Sequence, residues 1–229
     1  MSERLAFAVV AGDRRQEALC RLLRQDGHIA VLIGSLNEPQ VLASLPADAI
    51  VLAPSLPPGV EEQLSGQGIR WVAYQKDAAC VLAHAAITAE NAIQVAMELL
   101  ECTLAQRQAL VIGYGRIGSC LSAMLRGIGV HTAAAARRPE SLAAIRAAGH
   151  HPVAMGALDS ALPGYDLIFN TADAMVLPGC RLSLLPRNAL IIDLASKPGG
   201  LDFDAALAQG LETVHALALP GRLTPQSSA

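Results

Sequence analysis

The sequence predicts an α/β protein built as two domains that flank a cleft and are joined by a long helix. Three observations carry that expectation. Short apolar runs alternate with amphipathic stretches through most of the 229 residues, the pattern of parallel strands and crossover helices. A stretch without glycine or proline runs from Thr88 to about Leu104, longer than an ordinary crossover needs. A glycine-rich turn at 113–118 stands between an apolar run and a second helical stretch. The expected division is 1–87 for the first domain and 88–229 for the connector helix and second domain.

Each element follows from local chemistry. Residues 5–11 are an apolar run read as a first strand, and 14–25 form an amphipathic helix that Gly27 ends. Strands are expected at 29–33 and 49–52. Pro54, Pro57 and Pro58 make 54–59 a loop, because a run of prolines cannot join a central ladder. A short helix at 60–64 and a strand at 69–73 complete the first domain. Thr88 is a suitable N-cap for the connector. Beyond it, strands are expected at 109–112, 130–134, 152–154, 167–170, 190–193 and 213–216, with helices at 116–126, 140–147 and 203–209.

Hydrophobic residues make up 52% and aromatics only 3%, so the cores must be built from alanine, leucine, valine and isoleucine. The longest unbroken apolar run, 78–87, contains His84 and falls short of the roughly 18 residues a membrane span needs. The opening Met1, Ser2, Glu3 and Arg4 lead straight into a strand pattern, without a leader-like run. A net charge of −3 gives no electrostatic reason to expect nucleic acid or an anionic membrane as partner. The five cysteines are scattered in apolar or alanine-rich surroundings and read as reduced, buried thiols. A cytoplasmic protein is expected. His28, His84, His131, His150 and His151 have no metal-ligand spacing, so no metal is expected either.

Gly113, Tyr114, Gly115, Arg116, Ile117 and Gly118 form a GxGxxG turn between strand and helix, the context in which that motif binds a dinucleotide. Gly113 makes the tight turn, Gly115 lets backbone approach the pyrophosphate, and Gly118 lets helix meet strand. The second domain therefore reads as Rossmann-like. An NAD site places an acid about 20 residues past the first glycine, on the ribose 2′-hydroxyl. Here Ala133 to Ala136 are followed by Arg137 and Arg138, with no acid before Glu140. Two guanidinium groups suit a 2′-phosphate, so NADP is the expected cofactor.

Asp193, Leu194, Ala195, Ser196, Lys197, Pro198, Gly199 and Gly200, then Asp202 and Phe203, then His215 to Gly221, make a distinctive series. With the phosphate loop, Arg137, Asn170, Thr171, the Thr88-Ala89-Glu90 segment and the opening Gly12, Asp13, Arg15 and Gln16, the chain resembles the dipicolinate synthase A-subunit family. The resemblance runs over nearly all of 1–225. It implies an NADP-linked oxidation of a dihydrodipicolinate-type cyclic dicarboxylate to the pyridine-2,6-dicarboxylate stored in bacterial endospores. It also implies a flavoprotein-like partner, the B-subunit of the synthase. The chain departs from the family pattern at Ile87, where a proline is usual, at Asn91, where a glycine is usual, and at Asp173, where a proline is usual. It also lacks the family's continuation into a helix after Pro225.

A dicarboxylate needs cations or N–H donors at two ends. Lys197 leaves the end of a strand in a glycine-rich loop and is the favoured catalytic and substrate residue, with Ser196 beside it. His215 is either a proton acceptor or a structural histidine. Glu90 either faces the cleft or answers the dipole of a first helical turn. Asp13 and Arg15 either bind substrate or cap the first helix. Asn170 and Thr171 end a strand beside the expected nicotinamide ribose. Two further readings stay open: a non-catalytic NADP-binding protein that scaffolds the flavoprotein, and another two-domain NADP dehydrogenase of small cyclic acids. Homo-oligomerisation is compatible with all three.

Overall fold

The structure is a computed structural model that describes residues 4–227. The chain divides into two compact units. One takes in the chain up to His84 and again from Pro220 onward; the other is Ala85–Leu219. The return of the chain to the first unit at Pro220 has no local signature, because no composition shift or linker marks it.

The first unit is built on β1 (Ala6–Val10), α1 (Arg14–Gln25), β2 (Ile29–Ile33), α2 (Pro39–Ala43), β3 (Ala49–Ala53), α3 (Val60–Gly66) and β4 (Arg70–Ala73). The four strands form a parallel sheet in the order β2-β1-β3-β4. β1 sits between β2 and β3, so Ala8 faces Val31 on one side and Val51 on the other. One face buries Ala8, Val51, Ala53, Val60, Leu64 and Ile69, and the other buries Val9, Cys20 and Ala30 under α1. Small residues in the central strands let the helices approach closely, which compensates for the shortage of aromatic volume.

A 22-residue helix, α4 (Ala78–Leu99), crosses the division between the units. Its start corrects the expected N-cap at Thr88. The Asp77 carboxylate accepts from the Cys80 N–H at 2.7 Å, so the helix is capped well before Thr88, which lies inside it. Averaging over helical turns also changes the hydropathy reading. By length and composition α4 is long and apolar enough to cross a membrane, with a mean hydropathy of 1.2 over its most apolar 18-residue window. That window is 33% buried within the protein, through an alanine-rich stripe that includes Ala85, Ala89, Ala92 and Ala96.

The second unit follows with β5 (Gln108–Ile112), α5 (Arg116–Gly127), β6 (His131–Ala136), α6 (Pro139–Ala147), β7 (His151–Ala154), α7 (Leu158–Ala161), β8 (Leu167–Asn170), α8 (Gly179–Leu182), β9 (Leu190–Asp193), α9 (Phe203–Ala208) and β10 (Glu212–His215); α10 (Leu219–Leu223) comes last in the chain and, from Pro220, belongs to the first unit. Its parallel sheet has the order β10-β9-β8-β5-β6-β7. Counted from β5, that is the 3-2-1-4-5-6 order of the doubly wound dinucleotide fold. β8 and β9 are buried at every position, as expected of central strands covered on both faces. α5 turns Gly118, Leu121, Ser122 and Leu125 inward, one stripe at helical spacing. The expected burial of all five cysteines holds for Cys20 alone. Cys180 is exposed, because α8 is a single surface turn that cannot cover it.

Candidate functional site

In an open parallel sheet a ligand binds beyond the carboxyl ends of the strands, where the strand order reverses. In the second unit that point lies between β5 and β8. A cavity of about 780 Å³ opens there, within the usual range for small-molecule sites. Its wall comes from the turn after β5 (Gly113, Tyr114, Gly115), the end of β6 (Ala135, Ala136, Arg137, Arg138) and the segment after β8 (Ala172 to Ala174).

The three glycines of the turn answer to different constraints. Gly113 has φ 96°, and a Cβ there would lie 2.5 Å from Thr171 Oγ1. A Cβ on Gly118 would fall on the carbonyl oxygen of Gly113. Both are therefore glycine because the protein's own atoms leave no room. Gly115 is different: nothing lies within 4 Å of its would-be Cβ, and its φ of −90° suits any residue. Its missing side chain keeps open space in front of the backbone. Gly115 is also the N-cap of α5 and supplies no side-chain acceptor. The first-turn N–H groups and the positive helix end are thus presented to an anion. The residues fit a dinucleotide phosphate.

Arg137 and Arg138 are exposed and line the cavity at the end of β6, with no carboxylate among the lining residues of that strand. Ser141, in the first turn of α6, and Met155 line it too, and sequence reasoning missed both. Ser141 lies three residues past Arg138, and Met155 follows β7, where no motif points to a ligand. Tyr114 lines the cavity and meets His150 edge-on, with ring centroids 6.5 Å apart; burial pushes its hydroxyl pKa up. Arg116 and Ile117 lie outside the lining, in the first turn of α5.

Asn170 and Thr171 act beneath the loop and do not line the cavity. The Asn170 side chain is fully buried; Nδ2 donates to Asp193 Oδ1 at 2.7 Å and to the Ala172 carbonyl, and Oδ1 accepts from the Ala172 N–H. Thr171 Oγ1 donates to the carbonyls of Ile112 and Gly113, bracing the phosphate turn from below. Asp193 is likewise fully buried and accepts from the N–H groups of Ala195 and Gly200 as well. Gly199 (φ 106°) and Gly200 are pressed against Asp193 and Asn170, with no room for a Cβ. The anion that these glycines approach in the structure is the chain's own carboxylate.

That clamp sets the 196–200 loop and leaves Ser196 and Lys197 exposed, with a cis peptide between Lys197 and Pro198. The Ser196 N–H donates to Asp173 Oδ1 at 2.9 Å. His215, at the end of β10, is half-buried, stacks on Phe203 with centroids 5.1 Å apart, and pairs Nε2 with the Ala195 carbonyl at 3.0 Å. A carbonyl only accepts, so in the neutral ring Nε2 carries the hydrogen and the lone pair lies on Nδ1.

In the first unit Asp13 caps α1 in a reciprocal box with Gln16, and its carboxylate grips the Arg15 guanidinium through contacts of 2.8–3.1 Å. Bonding to Arg15 holds the Asp13 carboxyl below its ordinary value of 3.8 and raises Arg15 in turn. Gln16 Nε2 reaches Tyr74 Oη at 2.7 Å, and a Cβ on Gly221 would press on the Asp13 carboxylate. A cavity of about 190 Å³ beside them is lined by Arg15, Gln16, Tyr74 and His84 over Leu19, Leu52 and Val72. Glu90 is exposed and sits in the interior of α4, so the dipole of a first turn does not account for it. Among the described residues no group of three or more histidines, cysteines or carboxylates is placed to hold a metal ion.

The fold is the architecture of a class of dehydrogenases, two parallel α/β units with a glycine-rich strand–turn–helix in the second. Within that class the chain is similar to the A-subunit of dipicolinate synthase. It is 33% identical to that protein from Bacillus subtilis (strain 168) over 141 residues, 62% of this chain and 48% of the relative. The sequence match thus spans about half the length of the curated relative. The crystal structure of the dipicolinate synthase A-subunit from Bacillus halodurans superposes with a TM-score of 0.80 at 21% identity, covering 99% of this chain and 95% of that one. A D-lactate dehydrogenase from Sporolactobacillus sp. shares the fold more distantly, with a TM-score of 0.62 at 13% identity over 98% and 92% of the two chains. No protein-family model matches the chain.

Proposed function

We propose that this protein is an NADP-dependent dehydrogenase that oxidises a dihydrodipicolinate-type cyclic dicarboxylate to dipicolinate. The observation that carries the reading is the cavity at the end of β5. Space is kept open at Gly115, two arginines and a serine stand where the adenine ribose would lie, and no acid is present to accept from a 2′-hydroxyl. When bound, the dinucleotide supplies the hydride-accepting ring; the protein supplies orientation and charge.

Each residue then has a defined task. The α5 N-terminus and Gly115 hold the pyrophosphate, while Arg137, Arg138 and Ser141 hold the 2′-phosphate. Lys197, presented by a loop that Asp193 clamps, attracts a substrate carboxylate. His215 takes up the ring proton at Nδ1, steadied by its Nε2 bond to Ala195. Aromatisation of a dihydro ring loses two electrons and two hydrogens, one as hydride and one as this proton. Ser196 is a second-rank substrate contact. A flavoprotein-like partner and a cytoplasmic location accompany this reading by analogy with the synthase.

One observation favours a second reading, a non-catalytic NADP-binding protein: the Arg15 guanidinium is already engaged by Asp13. The deciding experiment incubates the protein with NADP+ and freshly generated dihydrodipicolinate, with and without the flavoprotein, and follows dipicolinate absorbance. Product formation supports the dehydrogenase. Cofactor binding with no product under either condition supports the non-catalytic reading.

A further inference from the structure

We propose that Asp173 makes the cavity prefer the oxidised over the reduced dinucleotide, by placing one fixed negative charge at the end opposite the arginines. The inference rests on the dinucleotide reading of the cavity and adds a determinant to it. Charged residues on the cavity wall are Arg137, Arg138 and Asp173. The arginines follow β6, Asp173 follows β8, and β5 with its phosphate turn lies between those strands in the sheet. The wall is therefore positive at one end, rich in N–H donors in the middle, and negative at the other end.

A pyridine dinucleotide has the complementary order. Its 2′-phosphate and pyrophosphate are anionic, and its ring carries a positive charge only when oxidised. Phosphates on the turn and arginines leave the ring to the β8 side. There a carboxylate attracts the oxidised ring and gains nothing from the neutral reduced one. The Asp173 carboxylate is held in place, since Oδ1 accepts from the Ser196 N–H at 2.9 Å. No cation lies within ion-pair distance of it among the described residues, so its charge is not already neutralised. The same bond joins the cavity wall to the Lys197 loop, so the residue that senses the ring also braces the loop expected to hold substrate.

The test is calorimetric titration of the full chain with NADP+ and with NADPH, for the wild type, Asp173→Asn and Arg137→Ala. Asparagine keeps an oxygen for the Ser196 N–H and removes only the charge. Asp173→Asn is expected to weaken NADP+ about three- to tenfold at low ionic strength, with NADPH changed less than about twofold, the modest size expected of a solvent-exposed charge. The difference is expected to shrink at high salt, where exposed charges are screened. Arg137→Ala is expected to weaken both forms alike, since both carry the 2′-phosphate. An unchanged NADP+ to NADPH ratio in Asp173→Asn, in a protein that binds both, overturns the role of Asp173 alone. A wild type that binds neither form overturns the dinucleotide reading and this inference together.

Discussion

Gly113, Gly115 and Gly118 separate two reasons for a glycine that look alike in the sequence. Gly118 abuts the Gly113 carbonyl and Gly113 abuts Thr171, so these two serve packing. Gly115 faces open space, and in the proposed function that space takes the dinucleotide. Gly115→Val is therefore expected to abolish dinucleotide binding with an unchanged melting temperature. Gly118→Ala is expected to destabilise by about 1–3 kcal/mol, the usual effect of forcing extra volume into a packed site. Chemical denaturation together with calorimetry separates the two outcomes. The arginine pair makes a second contrast at this scale. Arg137→Ala combined with Arg138→Ala is expected to weaken NADP binding by about 1.5–3 kcal/mol or more, the range for bonds to charged groups, and to leave NAD nearly untouched. Equal loss for both cofactors contradicts the 2′-phosphate assignment. Lys197→Ala is expected to lower kcat/KM at least tenfold, about 1.4 kcal/mol, without altering NADP affinity, and Lys197→Arg to restore only part of it.

Helix ends do much of the work at the scale of elements. α5 begins on a residue with no side-chain acceptor, which leaves its first N–H groups uncapped by a side chain, whereas α1 begins on Asp13 and is closed by its own chain. The Asp13 cap makes the first unit pH-sensitive in a definite direction. Its carboxyl titrates below 3.8 in the folded chain, chiefly through the bond from Arg15. The unfolded chain therefore binds the proton more readily as the pH falls. The contribution of the cap is complete above the ordinary carboxylate range and is lost as the pH drops through the lowered folded value. Urea unfolding followed from pH 6 down through and below the ordinary carboxylate range is expected to show this loss in the wild type and its absence in Asp13→Asn. A helix N-cap of this kind contributes about 0.5–2 kcal/mol. Identical pH profiles for the two proteins would count against the Asp13–Arg15 bond as the source.

At the scale of the molecule, the two parallel sheets divide the labour. The second carries the cavity, and the first presents the Asp13, Arg15, Gln16 and Tyr74 cluster with a small cavity of its own. A ligand that binds the folded chain raises its stability by mass action, by about 2.7 kcal/mol at a concentration 100 times Kd. NADP is expected to raise the melting midpoint clearly, and NAD at the same concentration to raise it far less. Equal shifts, or a larger one with NAD, contradict the cofactor assignment whatever the substrate proves to be. This measurement needs no knowledge of the reaction and so precedes the turnover assay.

The sequence by itself determined what depends on neighbours along the chain. The alternation of strands and helices, the phosphate turn and the arginines where an NAD site needs an acid are all local patterns, and the structure reproduces the strand–turn–helix around Gly113, Gly115 and Gly118. Only the tertiary structure decided which polar groups are spent on each other. Asn170 bonds Asp193 across 23 positions, and Ser196 bonds Asp173 across the same separation. These pairings turn a residue expected beside the cofactor into a buried strut, and bring one that carries no motif, Asp173, to the cavity wall. The start of α4 at Ala78 and the return of the chain to the first unit at Pro220 were decided in the same way. Periodicity along a chain reports which face an element buries, whereas hydrogen-bond partners and unit membership depend on which distant segments the fold brings side by side, which no local pattern encodes.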